Sequence, residues 1–339
     1  MTLLSVLGFA LVAPLGTSVP PTRIVAGHDE GAGSNVRVID YASGGTPHNF
    51  NAYAAGFTGG VRVAFGDLDG DAVPDMLTGA GPGAAPHVKA FSGSSGAQFQ
   101  SFFAFDVAFT GGVYVAAGDI NGDGRADIVV GAGNGAAGGR VRVFDGRNLV
   151  VLHDFFAYDL AFTGGVRVAA GDVNGDGAAE IVTGSGPGAS AHVKAFDGRS
   201  GALVRNFFAY PLAFTGGVFV AAADFDGDGR AELVTGTDSG GAPHVKVFDA
   251  VTLAETASFF AYAPTFLGGV RVATGRVAGD RTPDLLTAPG SGASLPVNVH
   301  TGPSFAVAPG VTPFAPPYMS GTFVAGYLAV EILLSDGFE

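Results

Sequence analysis

The feature that most constrains this chain is a period. Strand-like apolar stretches close on a small residue at Gly66, Gly118, Gly171, Ala223, Gly275 and Gly326, so the sequence repeats every 51 to 53 residues. A fixed period near fifty means one supersecondary unit used many times, each copy burying its apolar faces against the next. Every unit carries four apolar stretches separated by glycine-rich turns. The first (A) is Val61-Arg-Val-Ala64 and its equivalents, and the second (B) is Met76-Leu-Thr, Ile128-Val-Val or Ile181-Val-Thr. The third (C) is His87-Val-Lys-Ala-Phe91 or Arg140-Val-Arg-Val-Phe144. The fourth (D) is aromatic: Phe102-Phe-Ala-Phe105, Phe155-Phe-Ala-Tyr158, Phe207-Phe-Ala-Tyr210 and Phe259-Phe-Ala-Tyr262. Phe57-Thr-Gly-Gly60 and its copies then lead into the next A.

Four short antiparallel strands per unit make one blade of a propeller, and the fold class expected is an all-β propeller of four-stranded blades. The ends favour a closed ring over a solenoid. The repeat begins mid-unit, with Arg23-Ile-Val-Ala-Gly27 matching B, Asn35-Val-Arg-Val-Ile39 matching C and Phe50-Asn-Ala-Tyr53 matching D. It finishes on Thr322-Phe-Val-Ala325, an A with no full unit after it. Pairing that last A with the first B-C-D set closes six blades and removes exposed edges. Seven blades is the alternative, if Phe9-Ala-Leu-Val-Ala13 is another A. The second residue of A reads Arg62, Tyr114, Arg167, Phe219, Arg271, Phe323, cation and aromatic in turn. An even blade number preserves that alternation at closure, where each guanidinium can stack on a neighbouring ring. Because A is the innermost strand of a blade, these six residues are also candidate ligand-binding residues of a central channel, against a plainer role in packing.

The A-to-B turn is acidic. It reads Asp67-Leu-Asp-Gly-Asp-Ala-Val-Pro-Asp75, Asp119-Ile-Asn-Gly-Asp-Gly-Arg-Ala-Asp127, Asp172-Val-Asn-Gly-Asp-Gly-Ala-Ala-Glu180 and Asp224-Phe-Asp-Gly-Asp-Gly-Arg-Ala-Glu232. Side-chain oxygens recur at positions 1, 3, 5 and 9 of each loop, with glycine at 4 for a tight path. The candidate metal ligands are Asp67, Asp69, Asp71, the Val73 carbonyl and Asp75 in the first loop. In the second they are Asp119, Asn121, Asp123, Arg125 (carbonyl) and Asp127. In the third they are Asp172, Asn174, Asp176, Ala178 (carbonyl) and Glu180, and in the fourth Asp224, Asp226, Asp228, Arg230 (carbonyl) and Glu232. A set of hard oxygens on a curling backbone suits Ca2+ better than Mg2+, which demands octahedral geometry and retains water. About four calcium sites are expected. An Asp/Gly turn held by its own side chains is the plainer reading of any single copy. The fifth loop, Arg276-Val-Ala-Gly-Asp-Arg-Thr-Pro-Asp284, has Arg at position 1 and Ala at position 3, and is expected to hold no calcium.

Composition fits this picture. Lys and Arg total 17 against 30 Asp and Glu, a formal charge of −13, and the acids concentrate in the loops. Such a chain, without a basic tract, is not expected to bind nucleic acid. The absence of cysteine excludes disulfides and thiolate metal sites. The stretch Leu3–Leu15 has the apolar core of a secretory signal but no Lys or Arg before Arg23, and is too short for a stable membrane span. Residues 1–21 are therefore read as a signal peptide or an extra strand, 22–326 as the propeller and 327–339 as a closing strand or tail.

Phe65-Gly66, the Asp loop, Gly79-Ala-Gly-Pro-Gly83 and Gly184-Ser-Gly-Pro-Gly188 resemble the FG-GAP repeat family, which includes the integrin α propeller and many bacterial surface proteins. The resemblance spans about residues 22–326 and implies calcium in the A–B loops. It also implies a secreted or cell-surface location and a role in adhesion or ligand recognition. Integrin propellers have seven blades, so six is a departure. The function expected is a non-catalytic, monomeric, calcium-stabilised module for an extracellular protein or glycan. One alternative is a lectin using aromatics such as Tyr158 and Tyr210. Another is a polysaccharide lyase or hydrolase using the channel or His87, His192 and His244 beside Lys89, Lys194 and Lys246. Repetition of those histidines at blade spacing points to an inherited structural role, since a catalytic group is usually unique to one repeat.

Overall fold

A computed structural model describes residues 22–328. The first strands are β1 (Arg23–His28), β2 (Asn35–Asp40) and β3 (His48–Asn51). Blade 2 is β4 (Val61–Gly66), β5 (Asp75–Ala80), β6 (His87–Phe91) and β7 (Gln98–Phe103). Blade 3 is β8 (Val113–Gly118), β9 (Asp127–Ala132), β10 (Arg140–Phe144) and β11 (Val151–Phe156). Blade 4 is β12 (Val166–Gly171), β13 (Glu180–Ser185), β14 (His192–Phe196) and β15 (Leu203–Phe208). Blade 5 is β16 (Val218–Ala223), β17 (Glu232–Thr237), β18 (His244–Phe248) and β19 (Glu255–Phe260). Blade 6 is β20 (Val270–Gly275), β21 (Asp284–Pro289), β22 (Val297–Thr301) and β23 (Ala306–Val311). The last strand, β24 (Thr322–Gly326), pairs antiparallel with β1 from Ile24↔Gly326 to His28↔Thr322. Blade 1 therefore has the order β24-β1-β2-β3, and the described chain is a six-bladed propeller closed by its two ends.

Burial changes regularly from axis to rim, which explains the different composition of the four strands. β4 and β5 are buried at every position, β6 alternates, and β7 exposes most of its residues. A strand covered on both faces reads as a continuous apolar run, whereas a half-covered one alternates. The inner strands also converge. A Cβ added at Gly66 would lie 2.6 Å from the Ala117 Cβ, so the innermost strand of this blade ends on glycine.

All five predicted aromatic strands are shifted toward the N-terminus: Phe155–Tyr158, Phe207–Tyr210 and Phe259–Tyr262 were expected where β11, β15 and β19 end at Phe156, Phe208 and Phe260. The fourth strand of blade 2 was expected over Phe102–Phe105 but runs Gln98–Phe103, and that of blade 1 runs His48–Asn51 where Phe50–Tyr53 was expected. The second half of each aromatic motif leaves the sheet: Ala104 N donates to Pro86 O (2.9 Å), and Phe105 turns into the blade interface, buried. Aromatic content marked the interface there, not the strand.

The blades are latched on one face. Gly31 N donates to Thr58 O (2.7 Å), Gly83 N to Thr110 O (2.9 Å), Gly135 N to Thr163 O (2.8 Å) and Gly188 N to Thr215 O (2.9 Å). Leu267 and Met319 carbonyls accept the same bond from Gly240 and Gly292. The turn after the second strand of one blade thus meets the turn into the next blade at every boundary, with Gly-Pro-Gly and Phe-Thr-Gly-Gly as the motifs in contact at Gly83 and Gly188. Residues 1–21 and 329–339, where a signal, an extra strand or a tail strand were expected, lie outside the described residues. Among the described residues no helix is long and apolar enough to cross a membrane.

Candidate functional site

The acidic loops join the innermost strand of each blade to the next one out, on the face opposite the latches. Position 1 organises the turn. Asp119 accepts from Gly122 N (2.7 Å), Asp123 N (2.9 Å) and Gly124 N (2.8 Å), and Asp67, Asp172 and Asp224 cap their loops in the same manner. Position 5 accepts from the amide two residues on: Asp71 from Val73 N (2.8 Å), Asp123 from Arg125 N (3.0 Å), Asp176 from Ala178 N (2.9 Å) and Asp228 from Arg230 N (2.8 Å). The carbonyl-bearing residues Val73, Arg125, Ala178 and Arg230 therefore sit where the turn folds back on itself.

The position 9 acids start the next strand and are buried. Asp75 accepts from Leu68 N (3.0 Å), Asp69 N (3.2 Å) and Gly93 N (3.0 Å), and Asp127 from Ile120 N, Asn121 N and Gly146 N. Glu180 accepts from Val173 N (2.7 Å) and Glu232 from Phe225 N (2.8 Å). Burial pushes Asp75 and Asp127 up to about 6, and Glu180 and Glu232 up to about 7, with nearby aspartate charges adding to it and backbone donors opposing it. A carboxylate desolvated beside like charges favours protonation unless a cation shares the site.

Three loops gather acids closely enough for one ion, with carboxylate oxygens within 4.8 Å of one another: Asp67, Asp69 and Asp71; Asp176, Glu180 and Asp197; Asp224, Asp226 and Glu232. In the second loop Asn121 stands in for an acid, and no such trio forms among the described residues. Asp197 was missed in the sequence reading. It lies in the turn after β14 and reaches the loop because that turn folds beside it. Its signal was the recurrence of aspartate at or just after the end of the third strand, at Asp40, Asp145, Asp197 and Asp249. The fifth loop keeps only part of the pattern: Asp284 accepts from Val277 N and Ala278 N (2.8 Å each) and Asp280 from Thr282 N (3.0 Å).

The second candidate set forms a closed ring. Arg62 lies 5.0 Å from the Tyr114 centroid and 5.0 Å from that of Phe323. Arg167 lies 4.9 Å from Tyr114 and 5.3 Å from Phe219, and Arg271 5.5 Å from Phe219 and 4.5 Å from Phe323. The three aromatic rings also meet one another, with centroids 6.2–6.3 Å apart. Rings in mutual contact around the axis close the channel at this level. Below them, toward the acidic loops, a cavity of about 150 Å³ is lined by Val63, Ala64, Val115, Ala116, Tyr327 and equivalent residues.

The other sequence candidates are tied into blade interfaces. The Tyr158 hydroxyl donates to His192 O (2.9 Å) and that of Tyr210 to His244 O (2.7 Å), and burial pushes both phenols up. Lys194 Nζ donates to Ala157 O (2.8 Å), and Lys89 Nζ to Ala52 O (2.8 Å). His87, His192 and His244 stack on the edge-strand Phe103, Phe208 and Phe260 at 4.4–4.7 Å, and desolvation holds all three below the usual histidine value.

Comparison with known proteins agrees with this architecture. Residues 119–183 match the family described as an FG-GAP-like repeat, and residues 216–250 the FG-GAP repeat. A crystal structure of a Bacteroides caccae protein of unknown function is similar at TM-score 0.55 and 11% identity, over 90% of this chain and 98% of that one. The Dos1 propeller aligns at TM-score 0.46 and 12% identity, over 83% of this chain and 67% of that one. The Vibrio cholerae biofilm matrix protein Bap1 aligns at TM-score 0.38 and 18% identity, over 74% of this chain and 39% of that one. Two segments of the chain thus match FG-GAP repeat families, and the described chain is a six-bladed β-propeller.

Proposed function

We propose that this propeller is a non-catalytic, extracellular calcium-binding module that presents a rigid surface to a protein or glycan ligand. The observation that carries the reading is the convergence of carboxylates within 4.8 Å in three loops, each with a buried acid whose pKa is raised. Oxygen-only donors, on loops already curled by their own amides, fit a hard cation of flexible coordination. Asp67, Asp69, Asp71 and Asp75 would hold one ion. Asp176, Glu180 and Asp197, with Asp172 and Asn174, would hold another. Asp224, Asp226, Asp228 and Glu232 would hold a third, and the Asn121 loop the fourth. The bound ion would supply the charge that lets these acids stay ionised in a crowded, partly buried loop. In the fifth loop Arg276 and Ala278 replace two donors, and no calcium is assigned to it.

The chain's own groups support binding in preference to catalysis. The histidines, lysines and tyrosines that sequence alone left open as catalytic or sugar-binding groups repeat from blade to blade and spend their polar atoms on structure. The test has two parts. Isothermal titration of the chelated protein should show about four calcium sites, one fewer in Asp224→Asn and none fewer in Asp280→Asn. Binding to arrays of glycans and matrix proteins, in calcium and in chelator, should then show a calcium-dependent ligand. A protein that takes up no calcium at millimolar concentration removes the metal reading. Turnover of an acidic polysaccharide removes the non-catalytic one.

A further inference from the structure

The axial ring has a threefold pattern in sequence but not in charge. Arg167 donates from Nη2 to Asp238, and Arg271 from Nη2 to Asp29; both are buried ion pairs. In each case the aspartate directly follows the second strand of the next blade: Asp238 follows β17 and Asp29 follows β1. For Arg62 the next blade is blade 3, and the residue following β9 is Gly133. Arg62 is only 6% exposed, yet has no carboxylate partner among the described residues. Its Nη1 donates to Gly59 O (3.2 Å) and its Nε has no partner, as in Arg167 and Arg271; what sets it apart is Nη2, which holds an aspartate in those two and meets no carboxylate among the described residues here. A buried guanidinium without a counter-charge is destabilising, and a carboxylate in bidentate or single contact offsets that.

We propose that Arg62 is a ligand-binding residue that takes a carboxylate from outside the chain, in the place that Asp238 and Asp29 fill from within. Access is from the latch face, where Asn134 and Gly135, beside Gly133, are exposed. The chemistry selects one carboxylate, flat enough to lie between the Tyr114 and Phe323 rings that flank the guanidinium. It comes either from a free small carboxylate or from the uronate of an acidic saccharide. This site is remote from the acidic loops and does not depend on calcium.

The experiment is equilibrium dialysis of the full chain against labelled acetate, at constant ionic strength and fixed calcium. One saturable acetate per chain is expected. Arg62→Gln should weaken it by about tenfold or more. Gly133→Asp should abolish it by supplying the carboxylate in cis. A Cβ at 133 would meet Gly111 O at 2.1 Å, so that loop must give way, as it does around Asp29, whose N lies 3.3 Å from Gly321 O against 2.8 Å for Gly133 N to Gly112 O. Displacement of acetate by tetragalacturonate, but not by a neutral galactose oligomer, assigns the site to acidic saccharides; acetate binding without displacement assigns it to free small carboxylates. No saturable binding of either carboxylate to the unmodified chain overturns the proposal. So does undiminished binding to a natively folded Arg62→Gln protein.

Discussion

Arg125, at position 7 of the second acidic loop, donates from Nη1 to the Asp69 carbonyl oxygen of the first, at 2.7 Å. Its guanidinium lies over Gly70, where a Cβ would meet Cζ at 2.6 Å. Arg230 repeats the contact from the fourth loop to the third, with Nε 3.2 Å from Asn174 O. The arginines thus tie loop two to one and loop four to three through the backbone of position 3, in addition to the backbone bond that joins every consecutive pair of the four loops (Ala126 N to Asp67 O, Ala179 N to Asp119 O, Ala231 N to Asp172 O).

Cutting that tie should loosen the first loop from a distance. Arg125→Ala is expected to lower stability by about 0.5–1 kcal/mol, the worth of a half-exposed charged hydrogen bond. It should also weaken calcium at loop 1 although it removes no ligand there. Urea titrations with and without calcium measure both effects, and an unchanged calcium increment would show the loops to be independent.

Protons and calcium should compete at the position 9 acids. Glu180 and Glu232 rise from 4.5 to about 7 in the folded chain, so between those values the folded state binds more protons than the unfolded state. Stability carried by these groups is then lost as pH rises through that window in chelator. Calcium should reverse the loss, so the calcium-induced rise in Tm should grow from pH 5 to pH 8. Taking the difference between calcium and chelator removes the histidines, whose lowered pKa values act in the opposite direction. A calcium increment flat across that range would contradict the assignment.

Tyr114 stands between two guanidinium groups and against two rings. Tyr114→Ala should cost about 3–5 kcal/mol through the cavity and the lost stacking. Tyr114→Phe, which keeps the ring, should cost much less. Thermal unfolding of the two variants separates ring packing from the hydroxyl.

Asp238 neutralises Arg167 where both are buried. Asp238→Asn should cost about 3–5 kcal/mol, because it leaves a desolvated cation behind. Chemical denaturation gives the number, and a loss below ~1 kcal/mol would mean that water reaches the guanidinium.

Much of this was legible early because it is local. The period, the strand types, the alternation of Arg62, Tyr114, Arg167, Phe219, Arg271 and Phe323, and the capping positions of the acidic loops all repeat in register. The misplaced fourth strand shows where local reading stops. Phe102 and Phe105 look alike in sequence and both rings pack toward blade 3, but only Phe102 keeps its backbone paired in β7, and where that pairing stops is decided by the neighbouring chain segments. Asp197 is a similar case, since its approach to Asp176 and Glu180 depends on how one turn lies over another.

By itself the sequence determined the blade, its number and the acidic loops, because each is written within about fifty residues and copied. Only the tertiary structure decided that the ring of Arg62, Tyr114, Arg167, Phe219, Arg271 and Phe323 closes the channel, and that Asp238 and Asp29 neutralise two of its three arginines. Those partners lie 71 and 242 residues from the cations they serve. Closing the ring through β1 and β24 brings Asp29 to Arg271 across nearly the whole chain, and desolvation then makes the lone glycine opposite Arg62 a chemical difference.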